Sequence, residues 1–177
     1  MKRLGMVVAG AVAAMLVAGS VQAADVGPIA LPATPPAVPL PPPPGFSFAG
    51  PYVGTYGGML VGESAFQAGL QGGFNFVRGP LLVGAEAQVG VLFGGGIGFE
   101  ADLNARVGAV LGERFLVYGE GGIGLFAGTP IYTAGGGVEI GIGQSISVFA
   151  EAKAVGALGS PISTFQVQGG INWHPNY

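Results

Sequence analysis

The chain contains no cysteine, and only 8% of its 177 residues are charged. Without cysteine there is no disulfide scaffold and no thiolate metal site. Soluble surfaces carry roughly 25–35% charged residues, so this chain is short of material to coat a water-facing domain. After residue 24 no stretch reaches the roughly 20 apolar residues that a membrane helix needs, which excludes a helical bundle in a bilayer. Histidine and tryptophan occur once each. Cations are few, six Lys and Arg against nine Asp and Glu. A net negative chain has little to offer nucleic-acid phosphates, so no nucleic-acid partner is expected.

What the chain does have is glycine (36 residues) and proline (14). Its first 23 residues have the form of a secretory signal peptide. Lys2 and Arg3 form the charged start, Met6–Ala18 the apolar centre, and Val21-Gln22-Ala23 the small-x-small cleavage pattern. Processing there would remove two positive charges and take the formal net charge from −3 to −5. Residues 24–45 form a leader in which nine of the prolines fall. Such a run sustains neither helix nor central strand and is expected to be extended polyproline II. Two roles are open for it: a passive spacer, or a docking segment for a periplasmic or cell-wall partner, because Pro-x-x-Pro runs are also ligands.

Residues 46–177 follow a two-residue rhythm. It is clearest in Phe99–Leu111, FEADLNARVGAVL, where Glu100, Asp102, Asn104 and Arg106 alternate with Phe99, Ala101, Leu103, Ala105 and Val107. A helix would scatter those apolar residues round its whole surface, so the pattern predicts a strand with two unlike faces. The same reading predicts strands at about Phe48–Leu60, Phe66–Arg78, Leu81–Phe93, Phe115–Phe126, Ile131–Ile142, Ile146–Gly156 and Ser163–His174. All connections are of hairpin length. The simplest topology is therefore an all-β, eight-stranded antiparallel up-and-down barrel.

Alternation alone does not say which face is inside. A soluble secreted ligand-binding barrel would turn the apolar face inward. The polar face, however, is Gly, Gln, Asn and carboxylate with only Arg106 and Lys153 as cations, which makes a poor solvent surface. Aromatic residues of the apolar face gather at strand ends: Phe66, Phe93, Phe99, Tyr132 and Phe165 at one end, Phe76, Phe115 and Trp173 at the other. Two aromatic girdles around a Val, Ala, Leu and Ile band fit a lipid-facing exterior. Phe126, Phe149 and Tyr118 have the opposite parity. The expectation is a transmembrane barrel with outer-membrane lipid as its surroundings and the cell outer membrane as its location.

The run Phe48-Ala49-Gly50-Pro51-Tyr52-Val53-Gly54, behind a proline-rich leader, resembles the first strand of the small outer-membrane β-barrels of Gram-negative bacteria. Those proteins are grouped as the porin or opacity family and are relatives of the OmpA transmembrane domain. The resemblance covers about Phe46 to Tyr177 and implies an outer-membrane barrel of the cell envelope. Pro175 departs from it by interrupting the final strand register before the terminal aromatic Tyr177.

Little catalytic chemistry is expected. His174, at the end of the last strand, reads as a residue of the aqueous rim, and the serines show no grouping with it. Nucleotide and thiol motifs are missing. The carboxylates are spread over several strands, so no metal, cofactor or enzymatic activity is expected. Glu86, Glu100, Asp102, Arg106, Glu120, Glu139, Glu151 and Lys153 lie on the polar face, and inside a barrel they have two possible jobs. They can fill a closed structural lumen, as eight strands leave room for little more than side chains, or line a narrow cation-preferring pore.

Register makes one contact specific. A three-residue turn, Gly112-Glu113-Arg114, opposes Leu111 to Phe115 and so Arg106 to Glu120. A five-residue loop, Gly94–Gly98, opposes Phe93 to Phe99 and so Arg106 to Glu86. The expected result is a lumenal Glu86–Arg106–Glu120 triad.

Overall fold

The structure is a computed structural model that describes residues 45–62 and 64–175. The signal peptide expected at residues 1–23, the expected leader up to residue 44 and Tyr177 lie outside the described residues. Eight strands follow in chain order: β1 (Gly50–Val61), β2 (Ala65–Arg78), β3 (Leu81–Phe93), β4 (Ile97–Leu111), β5 (Phe115–Phe126), β6 (Thr129–Gly141), β7 (Ile146–Ala157) and β8 (Ile162–Trp173). Each pairs antiparallel with its neighbour in sequence, and β1 pairs with β8, closing an eight-stranded up-and-down barrel. Closure leaves no free sheet edge. The even strand number puts residue 45 and His174 at one end, together with the turns that follow β2, β4 and β6. The loops after β1, β3, β5 and β7 stand at the other.

Burial decides which face is inside. Gln71, Glu86, Asn104, Arg106, Glu139 and Lys153 are buried, whereas Leu70, Phe76, Phe99, Leu103, Ile123 and Ile171 are exposed. The polar face is therefore the interior. The described charged residues outside the lumen are Arg78, Glu113 and Arg114, all at the short-turn end. Between the two rims the outward wall carries no described charge.

Glycine positions follow from the aromatics. Tyr52, Tyr56, Tyr118 and Phe149 have polar-face parity and point into the lumen, each directly opposite a glycine of the next strand: Gly73, Gly69, Gly137 and Gly170. A Cβ added to Gly73 would come within 2.6 Å of the Tyr52 hydroxyl, and one at Gly170 within 2.8 Å of the Phe149 ring. A large ring can lie across an eight-strand interior only where its neighbour has no side chain. This explains why Tyr118 and Phe149 break the girdle pattern. On the outside, Tyr132 covers Gly156 in the same way.

Three expectations are corrected. The β3–β4 loop is three residues, Gly94-Gly95-Gly96, and opposes Phe93 to Ile97 rather than Phe99. Consecutive glycines with positive φ, 68° at Gly95, make a tighter turn than the longer loop assumed. The shift of two residues keeps every side chain on its expected face. The β5–β6 loop shrinks to Ala127-Gly128, with φ of 47° and 83°, so Thr129 and Pro130 join β6. Both residues at positive φ is the geometry that suits a two-residue hairpin. Finally, β1 begins at Gly50, because Phe46 and Phe48 leave the wall and turn into the barrel mouth.

The ring-over-glycine arrangement has a measurable consequence. Gly73→Ala forces Tyr52 or the backbone to move and should lower stability by about 1–3 kcal/mol, as overpacking does. Gly72→Ala faces outward, with its nearest neighbour at an ordinary 3.4 Å, and should change stability by no more than about 0.5 kcal/mol. Equilibrium unfolding of the refolded barrel in urea compares the two.

Candidate functional site in the lumen

The lumen is built around Arg106, at the middle of β4. Alternation points its side chain inward, and the register leaves Gly84 opposite it on β3 and Glu120 opposite it on β5. The guanidinium spans the barrel. Nη1 lies 3.2 Å from Glu86 Oε2, Nη2 lies 3.2 Å from Glu139 Oε2 on β6, and Nε lies 3.9 Å from Glu120 Oε2. Nη1 also donates to the Tyr52 hydroxyl at 2.6 Å, and that hydroxyl in turn donates to Glu86. The Tyr118 ring centroid is 3.9 Å from Cζ and the Tyr52 centroid 5.5 Å. A planar, weakly hydrated cation with a fork of donors suits such a place, between two aromatic rings and three carboxylates.

Thus the expected triad is present in part and enlarged. Glu86 reaches Arg106 on a diagonal, not from directly across, because the β3–β4 register differs by two. Glu120 is directly opposite as expected but makes the longest of the three contacts, and among the described residues neither of its oxygens has a hydrogen-bond partner. Glu139, which hairpin arithmetic could not place, is one of the two nearest carboxylates. It comes from two strands away, a distance that only closure of the ring sets.

A second cation stands further along. Lys153 Nζ lies 3.5 Å from Glu120, 3.3 Å from Glu151 and 2.7 Å from Gln88 Oε1, to which it donates. Glu120 is therefore shared between the two cations. Tyr118 donates to Glu151 at 2.6 Å, and Tyr56 donates to Glu100 at 2.6 Å. Glu100 also accepts from Gln166. Asp102 is buried, and its Oδ1 has no hydrogen-bond partner among the described residues. Gln67, Gln71, Gln88, Gln168 and Asn172 join the walls between these groups. All eight charged residues singled out in the sequence face the lumen, and the side chains in the ion pairs are 0–2% exposed.

Apolar residues close both ends of this polar stack. Leu60, Leu92, Ile131 and Val155 are buried towards the loop end. Phe46, Phe48, Leu82 and Leu116 cluster towards the short-turn end.

His174 is the clearest departure from the sequence reading. It is buried, not at the aqueous rim, with its ring stacked on Tyr52 at 5.5 Å and edge-on to Phe46. Its Nε2 lies 3.0 Å from Ser147 Oγ and 3.2 Å from Glu139 Oε1. No local pattern signalled this serine, histidine and carboxylate grouping, since the three residues come from β6, β7 and the chain just after β8. It lacks the relay of a nucleophilic site, in which the two ring nitrogens serve serine and carboxylate separately. Here one nitrogen serves both, and Ser147 and Glu139 are fully buried. Among the described residues no group of three or more His, Asp or Glu side chains is placed to hold a metal ion.

Of the girdle residues, Phe66, Phe93, Phe99 and Phe165 are exposed at the loop end, and Phe76 and Trp173 at the other. Tyr132 and Phe115 are half-buried; Tyr132 donates to the Ser160 carbonyl. Phe74 joins the second girdle, its ring 4.8 Å from Phe76.

Removing the central cation leaves Glu86, Glu120 and Glu139 across the lumen with no guanidinium between them. Arg106→Ala should cost about 3–5 kcal/mol, as breaking a buried ion pair from one side does. Glu113→Ala, in an exposed turn, should stay within about 0.5 kcal/mol. Thermal unfolding of the refolded barrel measures both.

No protein-family model matches this chain, and no curated protein matches it. Among solved structures, it is similar to a chain described as "De novo design of transmembrane beta-barrels", with a TM-score of 0.49 and 15% sequence identity, over 72% of this chain and 98% of that one.

Proposed function

We propose that this barrel is embedded in the outer membrane of a cell envelope and serves there as a closed structural element. The observation that carries the proposal is the distribution of charge: eight described charged residues inside, three at one rim and none on the wall between. Monomeric soluble proteins rarely expose a contiguous apolar patch beyond a few hundred Å², whereas here the exposed apolar side chains continue round all eight strands. Strands of 12–15 residues exceed the roughly 9–11 that a tilted strand needs to cross a bilayer. Kinship with the porin or opacity family belongs to this proposal and rests on the resemblance of the first strand. So do the reading of residues 1–23 as a signal peptide and of 24–45 as a periplasmic leader.

The packed lumen supports a structural role over a conducting one, and a non-enzymatic role over catalysis. A second reading, a narrow cation-preferring pore, draws on six lumenal carboxylates against Arg106 and Lys153.

Two measurements test the proposal. Ala105→Arg, on the exposed face at the middle of β4, should impede insertion into lipid vesicles by about 2–4 kcal/mol, while Leu111→Arg at the strand end should cost about 1 kcal/mol or less. Equal tolerance of the two would sink the membrane reading. In a planar bilayer the refolded protein should give no steady unitary current; cation-selective steps would establish the pore instead.

A further inference from the structure

The five residues before β1 form no strand, yet two of them belong to the buried apolar core of the barrel. Phe48 is 2% exposed and Phe46 7%, while Gly45, Ser47 and Ala49 between them face solvent. The rings pack edge to face, 4.8 Å apart, and against Leu82, Leu116 and His174. Gly141 is matched to Phe46: a Cβ there would meet its ring at 2.6 Å.

The attachment of this segment is slight. Among the described residues one hydrogen bond ties it to the wall, from Asn75 Nδ2 to the Phe48 carbonyl at 3.2 Å; the other is internal, from the Ala49 amide to Ser47 Oγ. Strand residues, by contrast, are held through ladders on both sides. A cleft of about 370 Å³ runs along the segment's flank, bounded by Val77, Val110, Gly112 and Glu113. Below the two rings, His174 Nδ1 is buried without a hydrogen-bond partner among the described residues. A buried polar atom left unpaired is costly, and opening this mouth would let water satisfy it.

We propose that residues 45–49 are a withdrawable stopper. The Phe46 and Phe48 rings shut the short-turn end of the lumen, and their withdrawal opens to water an aromatic cup floored by His174, Ser147 and Glu139. The opening is one-sided, since Leu60, Leu92, Ile131 and Val155 close the other end. Withdrawal therefore creates a vestibule and not a through-pore. The device does not depend on what surrounds the outer wall, so its test is separate from that of the membrane reading.

The cysteine-free chain makes the test direct. Single reporters Ser147→Cys, beneath the stopper, and Gln166→Cys, towards the far end, are introduced into the full chain refolded in detergent. Both are treated with a small cationic methanethiosulfonate, and folding is checked by gel mobility. In the otherwise unchanged chain Ser147→Cys should label slowly and Gln166→Cys should resist. Phe46→Ala with Phe48→Ala should accelerate the first by about tenfold or more, as loss of a local closing contact does, and leave the second unchanged. Should Ser147→Cys not fold, Leu82→Cys, whose side chain makes no hydrogen bond, carries the same readout. Equal rates at the two positions, no acceleration in the double variant, or equal acceleration at both ends would each overturn the stopper.

Discussion

The constraint on which this structure depends is the width of an eight-strand ring. Such a ring leaves an interior just large enough for side chains, and here that interior has received eight charged residues. Charges withdrawn from water are tolerated only with partners. Arg106 meets the requirement by touching three strands' carboxylates and two tyrosine rings at once. Lys153 repeats the solution further along with Glu120, Glu151 and Gln88. Because the partners come from different strands, the network holds the wall in one closed arrangement.

Filling the ring with large rings and long polar chains requires space elsewhere, and glycine provides it. Tyr52, Tyr56, Tyr118 and Phe149 each lie across a glycine on the adjacent strand. Three of the four also carry a hydroxyl that donates to a lumenal carboxylate. The tyrosines therefore join the two requirements, bridging between the small residues of the wall and the acids of the centre. Glycine within a strand ordinarily weakens it; here the ring above replaces the missing side chain's contacts.

The ends are treated differently from the middle. Leucine, isoleucine and valine seal the loop end from positions within strands, whereas the short-turn end is shut by a non-strand segment whose rings come from outside the wall. The polar stack between them is complete enough that its ion-paired side chains are almost wholly buried. Among the described residues, the segment that closes an end without belonging to a strand is at the mouth beside the first strand.

Much of this was written in the sequence, because strand alternation is local. Period two placed eight strands to within about two residues, and it assigned Glu86, Glu100, Asp102, Arg106, Glu120, Glu139, Glu151 and Lys153 to one face. It also put Arg106 opposite Glu120, since a three-residue turn fixes its own hairpin. A register shift of two at the glycine turn was invisible, because parity is unchanged by it. What lay beyond the hairpin could not be read. Glu139 approaches Arg106, and Ser147 approaches His174, across a ring whose closure brings together residues far apart in the chain. Phe48 read as the start of a strand, since local pattern carries no information about an open mouth with apolar walls waiting at the end of a barrel. Alternation is decided by neighbouring residues; who meets whom inside the ring is decided only by how the ring closes.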